Sequence, residues 1–198
     1  MTAITTAQQQ MALRKTLRRQ RRALSIFQQR QAQIAILRYL WRNRHFHACQ
    51  HIGVYWADFG EIYTRAIIDY CFKLGKKVYL PQVCAMNQQL QWVQLSRQHL
   101  RSQRMVRHRL QMLEVRQSRG HCIQHLDWLF LPLLACDVDG YRLGMGGGFY
   151  DRTLAHAKAT MYRVGLAHDF QYLQQPFARQ AWDQPIHALW TPSKAYYF

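Results

Sequence analysis

Five of the chain's ten glycines fall within a nine-residue stretch, at Gly140, Gly144, Gly146, Gly147 and Gly148, and an aspartate, Asp151, follows close behind. Consecutive glycines let backbone N–H groups turn toward one anion, because no Cβ obstructs the approach. A carboxylate beside such a cradle can hold Mg²⁺ against phosphate oxygens. The apolar run before the loop reads as a buried strand, and the residues from about Tyr150 read as a helix. The loop therefore lies where open α/β sheets place ligands, with the positive end of a helix behind it. On these residues alone two readings stay open for the loop, a phosphate cradle or a tight structural turn. Asp151 is likewise either a metal ligand or a helix-start carboxylate favoured by the dipole.

Spacing excludes two common phosphate motifs. There is no GxxxxGK followed by Ser or Thr, so this is not a Walker-type loop. The glycines also miss the GxGxxG spacing, so dinucleotide binding is poorly supported.

Charge narrows the chemistry further. Lys plus Arg number 27 against 10 acids, a formal net charge of +17. Such a field draws anions generally: nucleic acid, anionic lipid, nucleotides or polycarboxylates. No acid precedes Asp58. Any metal-binding carboxylate must therefore come from Asp58, Glu61, Asp69, Glu114, Asp127, Asp137, Asp139, Asp151, Asp169 or Asp183. The five cysteines, Cys49, Cys71, Cys84, Cys122 and Cys136, are odd in number and form no CxxC pair. That fits neither a secreted disulfide framework nor a zinc ribbon, and points to reduced core thiols.

The elements that must position the loop can be read from pattern. Residues 7–44 lack Gly and Pro and read as basic helix, with Ser25 capping a second helix from Ile26 whose apolar positions Ile34, Leu37 and Trp41 recur at helical spacing. His51–Trp56 reads as a strand. Thr64 precedes a helix with Ile67, Tyr70, Cys71 and Leu74 on one face and Gly75 at its end, and Lys77–Leu80 is a strand stopping at Pro81. This strand–helix–strand series favours a parallel pair with a right-handed crossover. Leu90–Leu95, Trp128–Leu133 and Arg163–Ala167 read as further strands, while residues 96–125, rich in Arg, Gln and His, carry no clear pattern. The whole, residues 1–198, reads as one α/β domain with helices on both faces of a mixed, largely parallel sheet. No apolar run approaches the ~18 residues of a membrane span, and the N-terminus lacks a signal-peptide core. A cytoplasmic protein is the expectation.

GYRLGMGGGFYDRTL, residues 140–154, closely resembles the signature of 5-formyltetrahydrofolate cyclo-ligases. RKTLRRQRRALS at 14–25 resembles that family's basic N-terminal element, IGVYWADFGEIYTRAIIDYCFKLGKKVYLPQV at 52–83 its first strand–helix–strand unit, and WDQPIHALWTPSK at 182–194 its C-terminal segment. Only 96–125 lacks a clear counterpart. The resemblance implies a three-layer α/β/α sandwich that converts 5-formyltetrahydrofolate to 5,10-methenyltetrahydrofolate while splitting ATP to ADP and phosphate. It implies ATP as co-substrate, Mg²⁺, and a phosphorylated formyl intermediate.

By the same resemblance the nucleotide loop falls on Arg142, Leu143, Gly144, Met145, Gly146, Gly147, Gly148, Phe149 and Tyr150, with Arg142 and Asp151 catalytic. The metal carboxylates fall on Asp151 and Asp183, and the N-terminal nucleotide contacts on Arg14, Lys15 and Arg18. Substrate contacts fall on Trp56, Glu61 and the loop from Met145 to Phe149. Glu61 has its own appeal, since a pterin offers N–H donors that suit a carboxylate; on residues alone it could equally be an exposed helix-start acid, and Trp56 a core residue. Many members carry Lys where this chain has Gly147 and Tyr where it has Phe149, so neutralising phosphate charge would fall to Arg142, Arg152 or the N-terminal basic element. The expected partner is 5-formyltetrahydrofolate, in polyglutamylated form as well, for a monomer with no specific nucleic acid and no membrane. The rival reading is a basic nucleic-acid-binding protein; an inactive or altered-substrate relative is the third.

Overall fold

The computed structural model describes residues 7–84, 86–101, 105–107, 113–115 and 119–198. Helices α1 (Ala7–Arg22), α2 (Ile26–Arg42) and α3 (Arg44–Ala48) lead into strand β1 (His51–Gly53). Then come α4 (Arg65–Lys73), β2 (Lys77–Val83), β3 (Leu90–Leu95), α5 (Arg97–Arg101), β4 (Met105–Arg107), β5 (Leu113–Val115), β6 (Trp128–Pro132), β7 (Ala135–Cys136), β8 (Arg142–Leu143), α6 (Phe149–Leu154), β9 (Tyr162–Leu166), β10 (Ala188–Trp190) and β11 (Ala195–Tyr197). The central sheet has the order β11-β10-β9-β6-β1-β2-β3. Its inner pairs are parallel, and only β2–β3 and β10–β11, at the edges, are antiparallel.

Strand alternation sends side chains to two cores. Trp128 and Phe130 of β6 face α2, α3 and α4, packing with Ile36, Leu40, Phe46 and Ile67. Leu129 and Leu131 face the other way, onto Leu154 of α6, Ile123 and Leu126. Both sets are fully buried, each such side chain contributing ~1.5–3 kcal/mol. This is the layered α/β architecture expected from the sequence. A third, small cluster docks Leu17 of α1 on Ala135, Leu143 and Phe177 beside the β7–β8 hairpin. No helix among the described residues is long and apolar enough to cross a membrane.

Several local expectations need correction. Ser25 does cap α2, with Gln28 completing a reciprocal capping box. The buried face of α2, however, is Gln29, Ala32, Ile36 and Leu40; Ile34 and Trp41 are exposed, at 42% and 52%. Two apolar stripes run along this helix, and the one containing the smaller residue, Ala32, is the one that packs. In α4 the packed residues are Ile67, Ile68 and Cys71, while Leu74 lies past the helix end and is 40% exposed.

The strand after α4 does not stop at Pro81. Pro81 pairs opposite Trp92 of β3, whose N–H and C=O both turn away to bond His121. That makes the pair a non-hydrogen-bonded one, so the missing proline N–H costs the ladder nothing. The first strand is shorter than read, ending at Gly53. Residues 96–125 hold α5, β4, β5 and one 3₁₀ turn, with 102–104, 108–112 and 116–118 outside the described residues. All five cysteines are free, but only Cys49, Cys71 and Cys136 are buried; Cys122 is exposed.

Candidate active site

The chain leaves β1 toward β2 on one side, and leaves β6 toward β9 on the other. Between the carboxyl ends of these two neighbours a doubly wound sheet opens its ligand crevice. A cavity of about 530 Å³ lies there, walled by the segment after β1 (Tyr55, Trp56, Asp58, Phe59, Glu61), the end of β6 (Pro132, Leu133) and the glycine loop.

The loop from Gly144 to Gly148 forms one wall. Gly148 sits in the left-handed region at φ +65°, where a Cβ would also meet the Arg152 Nη1 at 2.7 Å. Among the described residues the backbone N–H groups of 144–148 find no hydrogen-bond acceptor. These residues line the cavity and are partly or fully exposed, so their backbone donors are available to an anion there. The helix that follows, α6, is only six residues long. Its dipole is correspondingly small, so positive charge for an anion must come from side chains.

Helix α1 supplies it. Gln10, Arg14, Leu17 and Arg21 share one face, spaced by three and four residues. Gln10 donates to the Ala178 carbonyl, and Leu17 docks beneath. Arg14 Nε donates to the Gly144 carbonyl at 3.0 Å and lines the cavity; burial, then the neighbouring Arg18, lowers its pKa from the usual guanidinium range. Arg18 donates to the Arg14 carbonyl, and Lys15 is exposed on another face; neither lines the cavity.

Arg142 is 3% exposed at its side chain and is committed. Its Nη2 donates to Asp151 Oδ1 at 2.7 Å and its Nη1 to the Gln184 carbonyl at 2.7 Å. It fastens the start of α6 to the segment carrying Asp183. Arg152 donates to the carbonyls of Gly147 and Gln88 and lies over the Phe149 ring. Asp183 accepts from the Gln180 N–H through Oδ2. Asp151 and Asp183 both border the cavity, each with one oxygen that takes no hydrogen bond among the described residues. Two such carboxylates fit a hard divalent ion held mainly by phosphate oxygens. Among the described residues no group of three or more His, Cys, Asp or Glu could cage an ion unaided.

Glu61 is not an exposed helix-start acid. Its side chain is 15% exposed and lines the cavity, accepting the Asp58 N–H and lying 3.5 Å from the Arg21 guanidinium. Burial pushes its carboxyl up to about 7, against the opposing pull of Arg21 and the Asp58 N–H. Burial likewise holds the Tyr150 hydroxyl well above its usual range, with Glu61 adding to the effect. Trp56 both packs against the core and lines the cavity, so its two readings coexist.

Sequence reasoning missed Arg21. It is 1% exposed, donating through Nε to the Phe59 carbonyl and through Nη1 to the Leu133 carbonyl. Its backbone is met by Gly60, at φ +78°, where a Cβ would lie 2.3 Å from the Arg21 carbonyl oxygen. The one available signal was its place seven residues after Arg14, on the same helical face. Asp58, Met145 and Trp182 also border the cavity; Met145 and Trp182 are 52% and 64% exposed at its rim.

Comparison with known proteins places the chain among its relatives. The Escherichia coli 5-formyltetrahydrofolate cyclo-ligase is 37% identical over 153 residues, covering 73% of this chain and 79% of the relative. The Haemophilus influenzae 5-formyltetrahydrofolate cyclo-ligase is 31% identical over 182 residues, covering 90% and 95%. The solution structure of Aquifex aeolicus 5,10-methenyltetrahydrofolate synthetase superposes with a TM-score of 0.80 at 25% identity, covering 95% of this chain and 92% of that one. With a glycine loop and paired carboxylates at the sheet's switch point, and residues 6–192 matching the family pattern throughout, the chain belongs to the 5-formyltetrahydrofolate cyclo-ligase family.

Proposed function

We propose that this chain closes 5-formyltetrahydrofolate to 5,10-methenyltetrahydrofolate at the expense of ATP, releasing ADP and phosphate. The observation that carries the proposal is the convergence on one cavity of a donor-rich glycine loop, Arg14, two carboxylates and a buried Glu61. Nucleotide and folate can then meet between the ends of β1 and β6.

The chemistry asks for activation of a poor leaving group. The formyl oxygen attacks the γ-phosphorus of ATP, the bond to the β–γ bridging oxygen breaks, and ADP departs. N10 then adds to the activated formyl carbon, which closes the five-membered ring; N10 gives up its proton and the C–O bond breaks, with phosphate as the leaving group. The protein's part is orientation and charge neutralisation, as in other phosphoryl transfers.

In this reading the loop N–H groups and Arg14 hold the triphosphate, with Lys15 and Arg18 adding field rather than contacts. Asp151 and Asp183 would hold Mg²⁺, which supplies charge neutralisation at the transferred phosphoryl group. Arg142 is a positioning residue, because both of its hydrogen-bonding ends are occupied in fixing Asp151 and the Gln184 carbonyl. Glu61 receives the pterin's N–H donors, with Trp56 as an apolar wall. The chain acts as one domain over 1–198 and as a monomer. The charge of +17 suits polyglutamylated folates, and five free cysteines suit a reducing cytoplasm.

The test follows the oxygen atom. With the formyl oxygen labelled by ¹⁸O, the label should appear in inorganic phosphate at one atom per turnover. Label released into water instead would refute the phosphorylated intermediate.

A further inference from the structure

Arg21 lines the cavity, and no step above uses it. An arginine serving only as a bolt between α1 and the loop after β1 would satisfy its whole fork on carbonyls. This one bonds Phe59 and Leu133 and leaves Nη2 buried without an acceptor among the described residues, so it carries the desolvation cost of an unmade bond. Its Nη1 lies 3.5 Å from Glu61 Oε1, longer than the ~2.7–2.9 Å of a tight charge-assisted bond. The pair is therefore close enough to act by charge without tying up the carboxylate. Glu61 spends one acceptor site on the Asp58 N–H and keeps the others for the cavity.

We infer that Arg21 is a positioning residue for folate: it favours the anionic form of Glu61 facing the cavity, where the carboxylate accepts the two adjacent N–H donors on the 2-amino-4-oxo edge of the pterin. The inference rests on the folate reading above. A protonated Glu61 would turn one acceptor oxygen into a donor and lose half of that match.

The groups facing Glu61 support this division of labour. Asp58, on the same loop, works against ionisation and is itself held by Arg107 of β4 at 2.9 Å. Tyr55 and, from α6, Tyr150 are buried hydroxyls kept neutral. His168 bonds the Gly60 carbonyl, and burial lowers its pKa, so it brings little charge. Arg142 pairs with Asp151. Arg21 is thus the cation positioned to favour the charged form of Glu61.

The experiment measures KM for 5-formyltetrahydrofolate and for ATP between pH 5.5 and 9 in wild type, Arg21→Gln, Arg21→Lys and Glu61→Gln, with Tm recorded for each. Gln places an amide nitrogen where Nε now meets the Phe59 carbonyl, and the Leu133 carbonyl keeps Gln171 as a donor, so this variant can fold while the charge is gone. In wild type the folate KM should fall as pH rises through about 7, the value to which Glu61 is pushed. In Arg21→Gln the fall should move about one unit higher, with KM at pH 7 raised about fivefold. Its KM for ATP should stay within about twofold, since the triphosphate is held elsewhere. Arg21→Lys should restore the wild-type midpoint, and Glu61→Gln should give a pH-independent, high KM. Equal loss for both substrates tracking Tm, or an unmoved folate profile in Arg21→Gln, would overturn the inference while leaving the enzyme reading intact. A wild type that binds no 5-formyltetrahydrofolate at any pH would overturn the folate reading and this inference with it.

Discussion

Arg142 and Asp151 are joined across 2.7 Å, with the guanidinium 3% and the carboxylate 25% exposed. The cation nearest the glycine loop in sequence is thereby spent on the acid that follows the loop. This separates the two carboxylates assigned to Mg²⁺. Asp151→Asn and Asp183→Asn should each raise the Mg²⁺ needed for half-maximal turnover about tenfold, because an amide cannot supply the charge a hard cation requires. Only Asp151→Asn should also lower stability, by ~1–3 kcal/mol, since it leaves Arg142 buried without its counter-charge. A metal titration alongside thermal melts checks both; unchanged metal dependence in the two variants rejects the assignment.

The loop can be probed at two glycines of different standing. Gly148 has φ +65° and an added Cβ would strike Arg152, whereas a Cβ on Gly144 would meet nothing within 4 Å. Gly148→Val should weaken ATP binding at least about tenfold and destabilise the chain by ~1–2 kcal/mol through left-handed strain. Gly144→Ala should leave Tm within about 1 °C of wild type. Calorimetry showing full nucleotide affinity in Gly148→Val would mean a merely structural turn.

Arg14 and Lys15 are chain neighbours with opposite fates, one lining the cavity and one facing away. Arg14→Gln should raise the KM for ATP about tenfold, in line with loss of a charge-assisted contact, while Lys15→Gln should leave it unchanged. If the basic element instead tracks a nucleic acid, both variants should flatten the slope of log binding against log salt by about one unit each. Wild-type ATP kinetics in Arg14→Gln, together with a flattened slope on DNA, would decide for that rival.

Acid stability should hinge in part on Asp127, at the far end of the sheet from the site. Burial disfavours its charge, but Lys158 and the N–H groups of His51 and Gln50 outweigh it and bring its pKa down to about 2. A lowered folded value means stabilisation present above the ordinary carboxylate range and lost as pH falls from there through about 2. Asp127→Asn should therefore melt lower than wild type at pH 7, with the gap closing on acidification. A gap independent of pH would show that the carboxylate's charge contributes nothing.

Much of this was legible in the sequence, for reasons that can be named. The glycine loop announced itself because five glycines crowd into nine residues, and β6 because a strand buried on both faces is a continuous apolar run. Ser25 was legible because capping is local. Which stripe of α2 packs was not, since Ile34–Leu37–Trp41 and Ala32–Ile36–Leu40 are both helical patterns and the sheet chooses between them. Pro81 misled because its tolerance depends on Trp92 turning its backbone toward His121, a contact invisible in one dimension. Arg21 hid among basic residues that look alike until α1 is docked. The engagement of Arg142 with Asp151 likewise depends on how β8 meets α6.

The most direct test of the central claim is to mix the purified chain with 5-formyltetrahydrofolate, ATP and Mg²⁺ and follow the methenyl chromophore together with ADP. The chromophore should grow in with one ADP per product, and should vanish when either nucleotide or divalent ion is withheld. No chromophore in the complete mixture, or an equal rate without nucleotide, would contradict the account.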